Sequence, residues 1–291
     1  MFNTVAELVN QAEGNHQKIC EIMIEQEMEV TGKNEADIYA IMEKNYQVMK
    51  NAIDRGLQGV TSHSGMTGGD AKKIYDYIQN KPLLTDKKFL LAVCYAIATN
   101  EVNACMGVVC ATPTAGASGV LAGVMIAAKE SLGLSDQDVI KHLFTAGAFG
   151  YIIANNACIS GAAGGCQAEV GSASAMAAAA LTEMAGGTPS QSAHAMAMAL
   201  KNMLGLTCDP VAGLVEVPCI KRNGAGASNA LTAAELALAG VESRVPWDEV
   251  ISAMHQIGLS MPSTLKETSL GGLATTNTGK AWKEKLQIHT S

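Results

Sequence analysis

Cys166, Cys208 and Cys219 are the residues of this sequence whose settings suit metal chemistry. Each stands in a loop beside glycine or proline, in GGCQ, LTCDPVAG and VPCIKRNGAG. Such loops turn thiolates and backbone N–H groups toward a common point, and N–H···S bonds tune a bound cluster. Three ligands rather than four leave one metal position open, which favours substrate binding over electron transfer by analogy with catalytic zinc. Spacing alone leaves two readings open for these three, metal binding or plain burial. Cys20, in a helical pattern, and Cys94, Cys105 and Cys110, in apolar segments, read as small buried hydrophobes. The sequence has no CxxC pair, so neither a zinc ribbon nor a ferredoxin-type run is supported.

A second set of polar groups lies in glycine-rich loops. In TPTAGASG (112–119), Thr112, Thr114 and Ser118 offer hydroxyls. Gly116 and Gly119 let backbone N–H groups approach an anion at a following helix N-terminus. The plain alternative is a helix–helix turn with N-caps. The loop GVTSHSGMTGGD (59–70) carries Ser62, His63 and Ser64. The titration range of His63 suits proton transfer, although a loop histidine is also a common surface residue. His16, His142, His255 and His289 stand in ordinary helical or terminal contexts, and His194 lies on an Ala/Met helix as a packed or solvent-facing residue.

These loops need elements to hold them. Between Lys33 and Gly56, Ile38, Ile41, Met42, Met49 and Ile53 recur at helical spacing, with Gly56 as a natural C-cap. Thr85 to Asn100 reads as a helix. Ser135 with Asp138 resembles a capping box, Thr188–Pro189 an N-cap followed by proline, and Pro246 onward a helix start. Residues 102–128 carry no charge and are long enough to span a bilayer, but Thr112, Pro113, Thr114, Gly116 and Ser118 interrupt them. Two buried helical segments flanking a polar loop are expected there. LVEVPCI (214–220) has extended character that Pro218 limits. No repeat period or low-complexity linker occurs.

The predicted fold class is therefore mainly α, a multi-helix globular domain with Gly-rich loops converging on a buried site. The expected organisation is one domain over 1–291, with a charged amphipathic helical part at 1–55 and a cluster- and substrate-binding core at 56–280. Hydrophobic residues make up 48% of the 291 residues, charged residues 16% and aromatics 4%, with a formal net charge of −7. Small residues at that density allow close helix packing. The acidic balance, scattered Lys and Arg and missing aromatic platforms argue against nucleic acid and anionic membranes as partners. The N-terminus lacks the basic and apolar blocks of a signal peptide. A cytoplasmic location is expected, where cysteines are thiols or metal ligands rather than disulfides.

ISGAAGGCQAEVGSASAMAAAA, LGLTCDPVAGLVEVPCIKRN and KETSLGGLA resemble the signature of iron–sulfur-dependent L-serine dehydratases. With ATPTAGASGVLAGV and GMTGGDA, the resemblance runs over most of residues 55–280. The cysteine intervals of 42 and 11 residues, in LTCDPV and VPCI contexts, are specific to it. The resemblance implies that Cys166, Cys208 and Cys219 hold a 4Fe–4S cluster whose fourth iron is open to substrate. Cys158 shares the loop, but family members commonly carry Ser there, so it is left out. The chain resembles the α component alone. Other members fuse it behind a β domain or encode the two separately, so a separate β subunit that completes the active site is expected. The chain ends in LQIHTS, and no C-terminal cysteine is expected to cap the open iron.

The implied activity converts L-serine to pyruvate and ammonia. The departing hydroxyl needs a Lewis acid, which an open iron provides. The 112–119 loop is the candidate for the substrate carboxylate, with Ser62 and Ser64 as further substrate-binding candidates. For proton transfer the candidates are His63, Lys266 and Glu267, the last two in KETSLGGLA, where salt-bridge pairing is the alternative. The base can also come from the β chain. Two other functions remain: cluster-dependent lyase chemistry on L-cysteine or L-threonine, and a non-catalytic metal or redox-sensing subunit.

Overall fold

The computed structural model describes residues 1–288. His289 and the end of the chain, on which two of the expectations above rest, lie outside the described residues. Among these, thirteen α-helices occur and no strand. The mainly α class is thus observed. A lone bridge between Thr61 and Gly68 is the sole β pairing among the described residues. Residues 214–220, expected to have extended character, form no strand: Leu214 is extended after a 3-10 turn (Val211–Gly213), 215–218 turn, and a helix begins at Cys219.

The first three helices are α1 (Val5–Asn15), α2 (Ile19–Thr31) and α3 (Glu35–Leu57). Thr4 and Glu7 form a capping box on α1. The Asp248 carboxylate adds two bonds there, accepting from the Val5 N–H at 2.8 Å and the Ala6 N–H at 3.1 Å. The apolar faces of these helices, including Leu8, Ile22, Tyr46 and Ile53, sink into the same core as the later helices. Gly56 does not end α3 as its type suggests. The helix runs on to Leu57, because Gly56 is where α3 presses on the backbone of Ala98. A Cβ there would lie 2.3 Å from the Ala98 carbonyl oxygen.

α4 (Asp70–Asn80) and α5 (Lys87–Ala104) follow, then α6 (Ser118–Leu132) and α7 (Asp136–Asn156). The uncharged 102–128 stretch therefore divides as expected, between α5, a loop and α6. No helix of the described residues is long and apolar enough to cross a membrane. Glycines in α6 bring it close to α5, since a Cβ on Gly119 would lie 2.1 Å from the Ala96 carbonyl oxygen. Ser135 and Asp138 form the predicted capping box on α7. Cys94 is buried like Cys20, but Cys105 and Cys110 are only half-buried, because α5 stops at Ala104 and leaves both in the loop beyond it.

The remaining helices are α8 (Gly161–Gly164), α9 (Ser172–Met184), α10 (Pro189–Lys201), α11 (Cys219–Leu238), α12 (Trp247–Ser260) and α13 (Asn277–Ile288). Every residue of α9 is buried. Its run of Ala and Ser is small on all sides, as a helix wrapped by others must be. Helices α6, α7, α10 and α11 pack around it. Thr188 caps α10 as predicted, with Pro189 in its first turn. His194 on α10 is half-buried, its Nδ1 accepting from the Ser243 N–H and the Trp247 Nε1–H, both at 3.1 Å. Cys219 opens α11, and Cys166 stands just before the turn that leads into α9.

Candidate functional site

The three cysteines come from three separate segments, and all are buried. Cys166 precedes a π-helical turn (Gln167–Gly171) that leads into α9. Buried Gln167 anchors this turn: its amide donates to the Met254 carbonyl at 2.9 Å and accepts from the Gly205 N–H at 2.9 Å. Cys208 is pinned by its own N–H, which donates to the Leu265 carbonyl at 2.9 Å. Cys219 is the first residue of α11, after Pro218.

The Cys208 thiol donates to a Glu169 carboxylate oxygen at 3.8 Å. The neighbouring Cys208 lowers the pKa of Cys166, and the nearby Arg222 guanidinium lowers it further, while Cys166 and burial raise that of Cys208. Burial pushes the Cys219 thiol up to about 12, with Cys166 and Glu169 adding to the rise. With all three thiols buried, negative charge placed here needs a cation to balance it.

Arg222, one turn into α11, holds the loop around Cys208. It donates to the Thr207 carbonyl at 2.6 Å and pairs with Asp209 at 2.8 Å. Asp209 in turn accepts the Leu273 N–H at 2.8 Å, and Ser269 donates to the Pro210 carbonyl at 2.8 Å. These bonds draw KETSLGGLA against the Cys208 loop. Glu267, from that segment, donates its backbone N–H to the Gly161 carbonyl at 3.3 Å. One carboxylate oxygen each of Glu169 and Glu267 and the Cys208 thiol lie within 4.8 Å of one another. Burial raises the pKa of Glu169, and the neighbouring Glu267 raises it further. Lys266 is half-buried, and no ion pair joins it to Glu267 among the described residues.

The 112–119 loop closes another side. The Thr112 and Ser118 hydroxyls are buried without a hydrogen-bond partner. The Thr114 hydroxyl faces Glu169 without completing a well-aligned bond to it. Gly116 sits beside both, since a Cβ there would lie 3.7 Å from a Glu169 carboxylate oxygen and 3.9 Å from the Thr114 hydroxyl. Gly119 is not free for an anion, because its N–H donates to Asn223 at 2.9 Å. Asn223 also donates to the Gly116 carbonyl at 2.7 Å and the Cys219 carbonyl at 2.9 Å. One amide thus ties the loop to the helix that begins with Cys219.

The 59–70 loop docks on Glu216, three residues before Cys219. Ser64 donates to the Glu216 carboxylate at 2.9 Å, and Thr67 donates to it at 2.6 Å. Ser62 and Ser64 hydrogen-bond to each other at 3.0 Å, and the Met66 N–H donates to Ser64 at 3.0 Å. Ser62 thus serves the loop itself, and Ser64 also fastens it to Glu216. His63 is exposed on its outer turn. Buried Glu101 of α5 sets the loop's far end by accepting the Asp70 N–H at 2.7 Å.

Glu169, Arg222, Glu216 and Asn223 were not singled out in the sequence. A signal existed for Glu169 alone, as the sole charged residue between Lys141 and Glu183. The donor set fits a thiolate-held metal group: three thiols, no imidazole, and a cradle without side chain at Gly161. A Cβ on Gly161 would lie 3.0 Å from the Cys208 sulfur and 2.6 Å from a Glu169 oxygen.

The serine dehydratase alpha chain family model matches residues 14–274. The chain is 59% identical to the probable L-serine dehydratase alpha chain of Bacillus subtilis over 98% of its own length and 95% of that protein. It is 42% identical to the L-serine dehydratase alpha chain of Peptoniphilus asaccharolyticus, covering 96% of each chain. Against the L-serine dehydratase of Streptomyces coelicolor the identity is 38%, over 94% of this chain and 60% of that protein. With matches of this extent running through all the loops that meet around Cys166, Cys208 and Cys219, the chain belongs to the serine dehydratase alpha-chain family.

Proposed function

We propose that this chain is the α component of an L-serine dehydratase that converts L-serine to pyruvate and ammonia. In this reading Cys166, Cys208 and Cys219 hold a 4Fe–4S cluster, and a separate β subunit completes the site. The observation that carries it is the meeting of the Cys208 thiol with two carboxylates, Glu169 and Glu267, at a cradle that has no side chain, with Cys166 and Cys219 buried on neighbouring segments. The names of the relatives supply the substrate. The length of the Streptomyces coelicolor protein beyond the matched part supports a β-type partner. We take the two expected parts, 1–55 and 56–280, as one domain because they share a core.

L-Serine must lose its Cα proton and its β-hydroxyl. When bound, an iron without a protein ligand supplies the Lewis acid for that hydroxyl. The chain's own residues do the rest. Thr112 and Ser118, whose buried hydroxyls lack partners, hold the substrate carboxylate with Thr114 and the cradle at Gly116. Ser62 and Ser64 act through the position of their loop. Glu169 and Glu267 sit nearest the thiols and are the proton acceptors in this reading, with Lys266 and His63 as further candidates on the adjoining loops. Aminoacrylate leaves the site, tautomerises and hydrolyses to pyruvate and ammonia. A cytoplasmic setting, where free thiols persist, suits such a centre.

The test is anaerobic reconstitution of the chain with iron, sulfide and its β partner, followed by pyruvate release from L-serine, with L-threonine and L-cysteine as competitors. Cys166→Ala, Cys208→Ala and Cys219→Ala are each expected to lose iron and activity together. Full turnover of L-serine by a metal-free preparation would overturn the proposal.

A further inference from the structure

A second group of metal-ligating side chains lies away from this site, in the packing of α2, α7 and α9. Cys20, His142 and Glu183 each bring one ligand atom to within 4.8 Å of the other two, and all three residues are buried. They come from three helices far apart in the chain, so their meeting is a product of the fold.

The state of each group is informative. His142 is 5% exposed, and its Nδ1 lies 2.7 Å from the Asp138 carbonyl. A carbonyl only accepts, so Nδ1 carries the proton and Nε2 presents a lone pair. That Nε2 is buried and has no hydrogen-bond partner. A histidine that donates one ring N–H to a backbone carbonyl and aims its other nitrogen inward has the tautomer and anchoring of a metal-ligating histidine. Glu183 is 1% exposed and forms no ion pair among the described residues. It accepts from the Ile19 N–H at 2.5 Å, the Cys20 N–H at 3.3 Å and the Thr145 hydroxyl. A carboxylate has about four lone-pair sites, and the Cys20 thiol faces the one that remains. Buried carboxylates are normally paired with a cation or bound to a metal.

We propose that Cys20, His142 and Glu183 form a binding site for a single zinc-class divalent cation that clasps α2, α7 and α9. The set offers one sulfur, one nitrogen and one oxygen, which suits a borderline-soft ion. Zinc bonds of about 2.0–2.3 Å would draw the three atoms slightly closer than they stand. The competing arrangement is a dry hydrogen-bonded trio in which the Cys20 S–H satisfies His142 Nε2.

The test is an anaerobic titration of the complete chain with Co²⁺, read by its thiolate-to-cobalt absorption, beside Cys20→Ser and His142→Gln. The wild type is expected to bind one equivalent more than either variant, whatever the state of Cys166, Cys208 and Cys219. Zinc should then raise the wild-type melting temperature and leave those of the variants unmoved. Equal binding by all three chains would overturn the site. If a variant does not fold, zinc-edge X-ray absorption on the zinc-loaded wild type decides. A zinc shell containing both sulfur and imidazole supports the site, and a shell without imidazole refutes it.

Discussion

Asn223→Ala isolates the link between the 112–119 loop and the helix that begins at Cys219. The side chain is wholly buried and makes three hydrogen bonds, to the Gly116 and Cys219 carbonyls and from the Gly119 N–H. Truncation does not cost the same at each. The Gly116 carbonyl keeps a donor, since the Asn100 amide reaches it at 3.0 Å. The Cys219 carbonyl lies within the helical ladder of α11. The Gly119 N–H, in the first turn of α6, is left buried and unpaired. An orphaned buried donor costs about 1–3 kcal/mol and each ordinary bond about 0.5–1.5 kcal/mol, so a loss of about 2–4 kcal/mol is expected. For a chain of this size that lowers the melting temperature by roughly 3–7 °C. Urea unfolding followed by circular dichroism measures it. Asn223→Asp should not rescue the loss, because a carboxylate turns one acceptor toward two carbonyl oxygens. A stability for Asn223→Ala within about 0.5 kcal/mol of wild type would refute the claim that this amide ties loop to helix.

Gly56→Ala should be costly despite favouring helix, since its Cβ would fall 2.3 Å from the Ala98 oxygen and force α3 from α5. Overpacking of that kind costs about 1–3 kcal/mol, and an unchanged melting temperature would contradict the close approach. Arg222→Met leaves the buried Asp209 without its cation, a loss of about 3–5 kcal/mol. It should also release 263–276 to limited proteolysis, and a protected segment would argue against the Arg222–Asp209–Leu273 chain of bonds. Lys129 holds the Asp136 carboxyl well below its ordinary range, with help from Tyr46 and Lys50. A depressed carboxylate stabilises the fold above its unfolded pKa and loses that contribution as pH falls through the folded one. The stability gap between wild type and Asp136→Asn should therefore be constant above about pH 5 and shrink steadily below about pH 4. A gap that stays constant down to about pH 2 would show that the carboxylate is not held this way.

Much of the helical frame was readable from local signals. Ser135 with Asp138 and Thr188 with Pro189 mark helix starts because a cap acts within a single turn. A break in 102–128 was expected from the same local chemistry, in Pro113 and its polar neighbours, although α5 already stops at Ala104, where Met106 turns to positive φ. Gly56 misled because its type suits both a C-cap and a close contact, and only the position of Ala98 separates the two.

The sequence by itself determined the helical class, the starts of α7, α10 and α12 and the polar loop within 102–128, because periodicity, caps and loop composition act over a few neighbouring residues. It did not single out Glu169 beside Cys208, Asn223 beneath the 112–119 loop, or the meeting of Cys20, His142 and Glu183. Those depend on contacts between residues tens to hundreds of positions apart, which the packing around α9 creates. The three cysteines show both sides: their Gly- and Pro-rich settings were plain in the sequence, but the Arg222 charge near Cys166, the two carboxylates beside Cys208 and the place of Cys219 at the head of α11 exist only in the folded chain.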